Sequence, residues 1–244
     1  MAVDRADLRP GVDAALGADL AAASLMLSRR FAAGATMWCI APASPEHAHH
    51  VAVEFVHPVV MGKRALPAVA VDGPEPVDEL RTVVRSGDVL LAVSTAATPV
   101  VADAMRRAQA WGLTSIWLGA GPRPASDTAD HVLWTADPDG TAAYDGRLVV
   151  LYHVLWELTH VCFEHPGLLR PAADDCGDDT TCITCSDEGR VAEVVAEVDV
   201  ASALVRTARG SETVDVTMVG AVHPFDLVLV HAGTAIAVLE GTGG

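Results

Sequence analysis

Gly87-Asp-Val-Leu-Leu-Ala-Val-Ser-Thr95 carries the clearest strand signal in the chain. Asp88–Val93 reads as a strand, because five consecutive apolar side chains lie between a Gly-Asp turn and a Ser-Thr pair, the pattern of a strand buried on both faces. A loop, Ser94–Thr98, follows it. A helix over 99–111 comes next, opened by Pro99 and ended by Gly112, and then a second apolar strand, Leu113–Leu118. Toward the N-terminus, residues 12–33 predict a helix with Arg29-Arg30 near its end and Gly34 after it, and 36–40 a short strand. Ser44 is placed to N-cap a helix whose first residue is Pro45, and helices are also expected over 77–86 and 147–163. Strands alternating with helices specify an α/β domain in which helices cover both faces of a parallel sheet, three layers in all. Ligands of such sheets lie beyond the carboxyl ends of the strands, which directs attention to the loops at 41–44 and 94–98.

The chain has 244 residues, 51% of them hydrophobic, and a formal charge of −16. That charge excludes a nucleic-acid grip built on phosphate neutralisation. No apolar run reaches the roughly 18–20 residues of a bilayer span, and the start carries Asp4, Asp7 and Asp13 where a signal peptide would be basic, so a cytoplasmic protein is expected. The length fits two unequal domains. Residues 166–180 combine Pro166, Gly167, Pro171 and Gly177 with the pairs Asp174-Asp175 and Asp178-Asp179, and read as an acidic, solvated linker between domains at 1–165 and 181–244. The second domain is a series of short alternating runs: 190–198, 202–208, 213–217, 226–231 and 234–239. These point to a small OB-like β-barrel.

Eight of the ten histidines precede residue 166. His47, His50, Glu54 and His57 are spaced to share one face of the helix that begins at Pro45, and His153, Glu157 and His160 repeat that spacing on the last helix. Such stripes either bind a metal ion or decorate a solvated face. The five cysteines, an odd number unevenly spread, favour reduced thiols or a metal over a disulfide framework. Cys182-Ile-Thr-Cys185 on its own is half a zinc site, a redox pair or two incidental residues.

From about Leu16 to His165, the order of elements and the stretch Gly87–Thr95 resemble the sugar isomerase (SIS) fold, specifically the phosphoheptose isomerase group. The resemblance implies a zinc site at His50, Glu54 and His153, with Asp145 where that group has a Gln. It also implies general acid/base roles for Glu54 and His153, a phosphosugar-like ligand at Ser44, Ser94, Thr95 and Thr98, and a homo-oligomer. The chain departs from the group at both phosphate loops. Pro42 removes a backbone donor from the first, and the second loses a Gly and two hydroxyls to Ala96, Ala97 and Pro99. Thr98 also reads as the plain N-cap of its helix.

The second domain resembles the HypC/HupF family of hydrogenase maturation chaperones. The resemblance rests on Thr181-Cys182-Ile183, Glu212–Gly220 and above all Asp226-Leu-Val-Leu-Val-His-Ala-Gly-Thr-Ala-Ile236. It implies carriage of an iron bearing two cyanides and one carbon monoxide through Cys182 and His231, with Cys185 as a further candidate ligand. The implied partners are the [NiFe] hydrogenase large subunit and a HypD-like maturation protein. Three functions follow for test: a maturation factor, a metal-dependent phosphosugar aldose–ketose isomerase, and an interaction scaffold.

Overall fold

The computed structural model describes residues 14–60, 62–95, 98–142, 146–169 and 189–239. The first part is a parallel sheet of five strands: β1 (Met37–Ile40), β2 (Ala68–Ala70), β3 (Val89–Ser94), β4 (Thr114–Ala120) and β5 (His131–Thr135), in the order β2-β1-β3-β4-β5. Every residue of β3 and β4 is buried. Strand alternation divides them: Val89, Leu91, Val93, Ile116 and Leu118 pack under α1 (Ala14–Ala32), α2 (Pro45–Val56) and α5 (Arg147–Glu164). Leu90, Ala92 and Trp117 face α3 (Pro76–Val83) and α4 (Pro99–Trp111) on the other side. The three-layer α/β architecture is therefore as the apolar runs specify. Strands β2 and β5 add to the expected elements, one at each edge.

Asp88 joins the starts of β1 and β3. Its buried carboxylate accepts hydrogen bonds from the Thr36 amide at 2.9 Å, the Trp38 indole at 3.0 Å and the Arg85 amide at 3.0 Å. Helix α4 ends as expected at Gly112, whose left-handed backbone (φ 72°) donates to the carbonyls of Ala108 and Gln109. The segment 166–169, expected to open the linker, instead forms a short 3₁₀ helix on α1, with the Arg29 Nε donating to the Leu168 carbonyl at 3.1 Å. The rest of the expected linker lies outside the described residues, as do Cys176, Cys182 and Cys185.

The second part is a closed barrel of β6 (Arg190–Asp199), β7 (Ser202–Thr207), β8 (Gly210–Asp215), β9 (Leu227–His231) and β10 (Thr234–Leu239), ordered β10-β8-β7-β6-β9. Its core holds Ala192, Val194, Val205, Val214, Val228, Val230 and Ala235. The barrel closes through the parallel pair Thr234↔Asp215. No described helix is long and apolar enough to cross a membrane.

The two parts meet along α3 and α4. Glu193 on β6 is only 2% exposed although it points away from the barrel core, because α4 covers it. Its carboxylate accepts from Arg81 Nε at 3.0 Å, Arg107 Nη1 at 2.5 Å and the Trp111 indole at 2.6 Å. Arg107 also donates to the Phe225 carbonyl at 2.8 Å, and Arg81 lies 4.1 Å over the Phe225 ring. Arg206 of β7 donates to the carbonyls of Arg81 and Val84, and the Ser86 hydroxyl to the carbonyl of Ala208. Leu227 is buried in the same apolar cluster as Leu80, Met105 and Trp111. The barrel's outer wall thus completes the α/β core.

Candidate metal centre

Helix α2 begins at Pro45, and its i, i+4 geometry stacks His50 one turn before Glu54. Helix α5 packs beside it and brings in His153. His50 Nε2 is 3.4 Å and His153 Nε2 is 3.5 Å from the same carboxylate oxygen, Glu54 Oε1. The three ligand atoms all lie within 4.8 Å of one another, and among the described residues no other His, Cys, Asp and Glu form such a group. Both N···O separations are longer than a good hydrogen bond. They match the edge of a tetrahedron with bonds of 2.0–2.2 Å, about 3.3–3.6 Å, which is the spacing of nitrogen and oxygen ligands around zinc. The Glu54 side chain is 17% exposed and the two imidazoles 40%, so the centre is shielded on one side and open on the other.

The surrounding hydrogen bonds orient the ligands. His153 Nδ1 lies 2.8 Å from the Val149 carbonyl, which only accepts, so Nδ1 carries the proton and the neutral ring turns a lone pair on Nε2 toward Glu54. His50 Nδ1 lies 2.8 Å from the hydroxyl of Tyr152. The Tyr152 ring is buried; burial, then the charge of Glu54, pushes its pKa up to about 12. The residues present fit a zinc-class divalent ion with three protein ligands.

The rest of the two stripes goes elsewhere. His47 is buried with its ring 6.0 Å from Tyr152, and burial lowers its pKa. His57 caps the end of α2, its amide donating to the Val53 carbonyl. Glu157 pairs with Lys63 at 3.3 Å, and His160 is buried between the carbonyls of Trp156 and Arg64. Asp145 lies outside the described residues. Tyr152 had no sequence signal of its own, since it reads as one more apolar position on α5.

The parallel register Ile40↔Ala92 sets the loops after β1 and β3 side by side. Ser44 occupies the N-cap position of α2 without a side-chain capping bond. Ser94 stands on the α3/α4 side of the sheet, away from α2 and α5, where its buried Oγ accepts from the Trp117 indole at 3.0 Å. Thr95 is half-buried at the end of β3. Thr98 precedes α4 with no capping bond, and its buried hydroxyl has no hydrogen-bond partner among the described residues.

In the barrel, His231 is the last residue of β9, half-buried, next to a two-residue turn of Ala232 (φ 47°) and Gly233 (φ 81°) that leads into β10. Two successive left-handed residues are the signature of a tight hairpin. Strand β6 runs antiparallel to β9 with Arg190 opposite Val230, so the chain enters the barrel beside the strand end that carries His231. His223 is exposed in the turn before β9, as its place ahead of Pro224 implies, with its amide donating to Asp226 at 2.8 Å.

No protein-family model matches the chain, and no curated protein matches it. Solved structures do. A phosphoheptose isomerase from Francisella tularensis is similar with 18% identity and a TM-score of 0.52 over 59% of this chain and 86% of that one. One from Neisseria gonorrhoeae has 20% identity and a TM-score of 0.46 over 60% of this chain and 85% of that one. The first likeness gives the N-terminal part a sugar isomerase-type fold. At that identity it is a likeness of fold.

Proposed function

We propose that the chain is a maturation factor for [NiFe] hydrogenase. Its barrel carries an iron bearing cyanide and carbon monoxide as cargo through Cys182 and His231, and its α/β part holds a divalent metal at His50, Glu54 and His153. The observation that carries the reading is the hairpin made from 226–236: it supplies two staves of a closed barrel and leaves a half-buried histidine at the end of β9. Chain geometry adds support. Arg190 stands beside this end, Cys185 is five residues before it and Cys182 eight, so the thiols have reaches of at most about 17 and 28 Å. A thiolate suits a low-valent iron with π-acceptor ligands, and an imidazole can complete or orient its coordination. The partners in this reading are the hydrogenase large subunit and a HypD-like protein, in the cytoplasm, and the sugar isomerase-type part brings two copies together.

The test is infrared spectroscopy of the full chain, purified without oxygen after coexpression with its maturation partners. Cyanide and carbon monoxide stretches are expected, and their loss in Cys182→Ala and in His231→Ala. Absence of these bands where the partner complex forms overturns the carrier function.

A second reading, a metal-dependent isomerase of phosphosugars, is favoured by the approach of both imidazoles to one carboxylate oxygen. When bound, the ion supplies polarisation of a substrate oxygen. Glu54 is the group that would move a proton between adjacent carbons in this reading. This reading predicts metal-dependent turnover of a ketose phosphate that Glu54→Gln abolishes. Metal binding without turnover across a phosphosugar panel removes the isomerase and leaves the centre standing.

A further inference from the structure

We infer that Tyr152 is the positioning residue of the metal centre, holding His50 with Nε2 toward Glu54 in either tautomer so that a zinc-class ion binds without the ring turning. The inference rests on the reading of His50, Glu54 and His153 as a metal centre.

The two histidines are held differently. His153 is fixed by the Val149 carbonyl, an acceptor only, so its Nε2 is always the unprotonated nitrogen of the neutral ring. His50 Nδ1 instead meets a hydroxyl at 2.8 Å, and a hydroxyl both donates and accepts. In the tautomer with its proton on Nε2, His50 accepts at Nδ1 from the Tyr152 hydroxyl, and Nε2 lies 3.4 Å from Glu54 Oε1, where a proton between the two relieves their repulsion. With an ion bound, His50 Nε2 would present its lone pair and the neutral ring would carry its proton on Nδ1, from which it would donate to the Tyr152 oxygen. One contact therefore serves both states with the ring unmoved. If both imidazoles instead kept bare Nε2 lone pairs beside Glu54 without an ion, three electron-rich atoms would face one another.

Two further observations place Tyr152 as a support for the ring. The Tyr152 ring is 1% exposed, so its hydroxyl has a fixed origin. It also lies edge-on to His50, with centroids 5.1 Å apart at 73°, so packing and hydrogen bond fix the same orientation. Partners of this kind behind a metal-bound histidine are worth about 10–100-fold in affinity.

The test uses the full chain and Zn²⁺ alone, titrated in competition with a chromophoric chelator, for the wild type, Tyr152→Phe and His50→Ala. Tyr152→Phe keeps the buried ring and is expected to weaken zinc about 10–100-fold. His50→Ala is expected to weaken it further. Long-range ¹H–¹⁵N spectra of the imidazoles give a signature that a packing role would not move. The metal-free wild type is expected to show His50 as the Nε2–H tautomer and the zinc form as Nδ1–H, whereas metal-free Tyr152→Phe shows a mixture. A Tyr152→Phe variant that binds zinc within twofold of wild type and keeps the wild-type tautomer, while His50→Ala loses binding, overturns the role of Tyr152 and leaves the centre intact. A wild type that binds no zinc overturns the centre and this inference with it.

Discussion

Replacing Glu193 by alanine removes the buried carboxylate that joins β6 to α3 and α4. Its oxygens accept from Arg81, Arg107 and the Trp111 indole, and the side chain is 2% exposed. Removing one partner of a buried ion pair costs about 3–5 kcal/mol, chiefly by leaving the other charge uncompensated. Here Arg107 keeps Asp103 at 2.8 Å and Arg81 keeps Asp78, so the cost falls at the lower end, about 3 kcal/mol. With a urea slope of about 3 kcal/mol per molar, the unfolding midpoint drops by about 1 M. The loss is at a junction, so it also separates events: near-ultraviolet signals from Trp111 and Trp117 and proteolytic cleavage within the barrel, coincident in the wild type, are expected to part. A cycle with Arg107→Ala should give a coupling of about 1–3 kcal/mol, since the residues are in direct contact. A midpoint shift below about 0.3 M with one coincident transition refutes the view that this carboxylate holds the barrel to the helices.

Gly112→Ala puts a β-carbon 2.5 Å from Ser86 Oγ and 3.0 Å from the Ala208 backbone at a residue with φ +72°; a loss of about 2 kcal/mol is expected, or about 4–8 °C in Tm. Asp88→Ala leaves the Trp38 indole and the amides of Thr36 and Arg85 without their acceptor, and should cost about 2–3 kcal/mol in urea unfolding with the slope unchanged. Burial holds His47 below the ordinary 6.5, so the unfolded chain binds its proton more readily than the folded one. The stability tied to its neutral form is complete above 6.5 and is lost as the pH falls from there through the lower folded value. Urea midpoints measured from pH 7.5 to 5 should fall in wild type and less in His47→Gln; equal slopes would show that other groups govern the window.

The α/β order was legible because β3 and β4 are buried on both faces, and such strands read as unbroken apolar runs. The barrel strands were legible from alternation. Strands β2 and β5 were not: Ala68–Ala70 is too short to carry a period, and His131–Thr135 opens on a histidine. Within the site, the i, i+4 pair of His50 and Glu54 was readable, but a helix face is curved. His47 and His57 at the ends of the same stripe turn to Tyr152 and to solvent. Ser94 illustrates a different limit. Strand parity alone sends its hydroxyl to the Trp117 side, and parity can be assigned only once the faces of the sheet are known. Glu193 is the clearest case. In sequence it is the polar member of an alternating strand, as a solvent-facing residue would be, and only the packing of α4 against β6 makes it interior.

That wall of the barrel, with Leu227 seated among Leu80, Met105 and Trp111, also sets how often the two parts stand apart. The chain between Leu169 and Gly189 makes their meeting intramolecular, at an effective concentration of order 1 mM for a short tether. A docking surface of micromolar strength would then keep the closed form about a thousandfold ahead of the open one. A loss of 3 kcal/mol divides that ratio by roughly 150, to single digits. At that strength, one carboxylate separates a chain that moves as a single body from one in which a substantial share of molecules present the barrel's outer wall, Trp111 and two arginines to whatever is near.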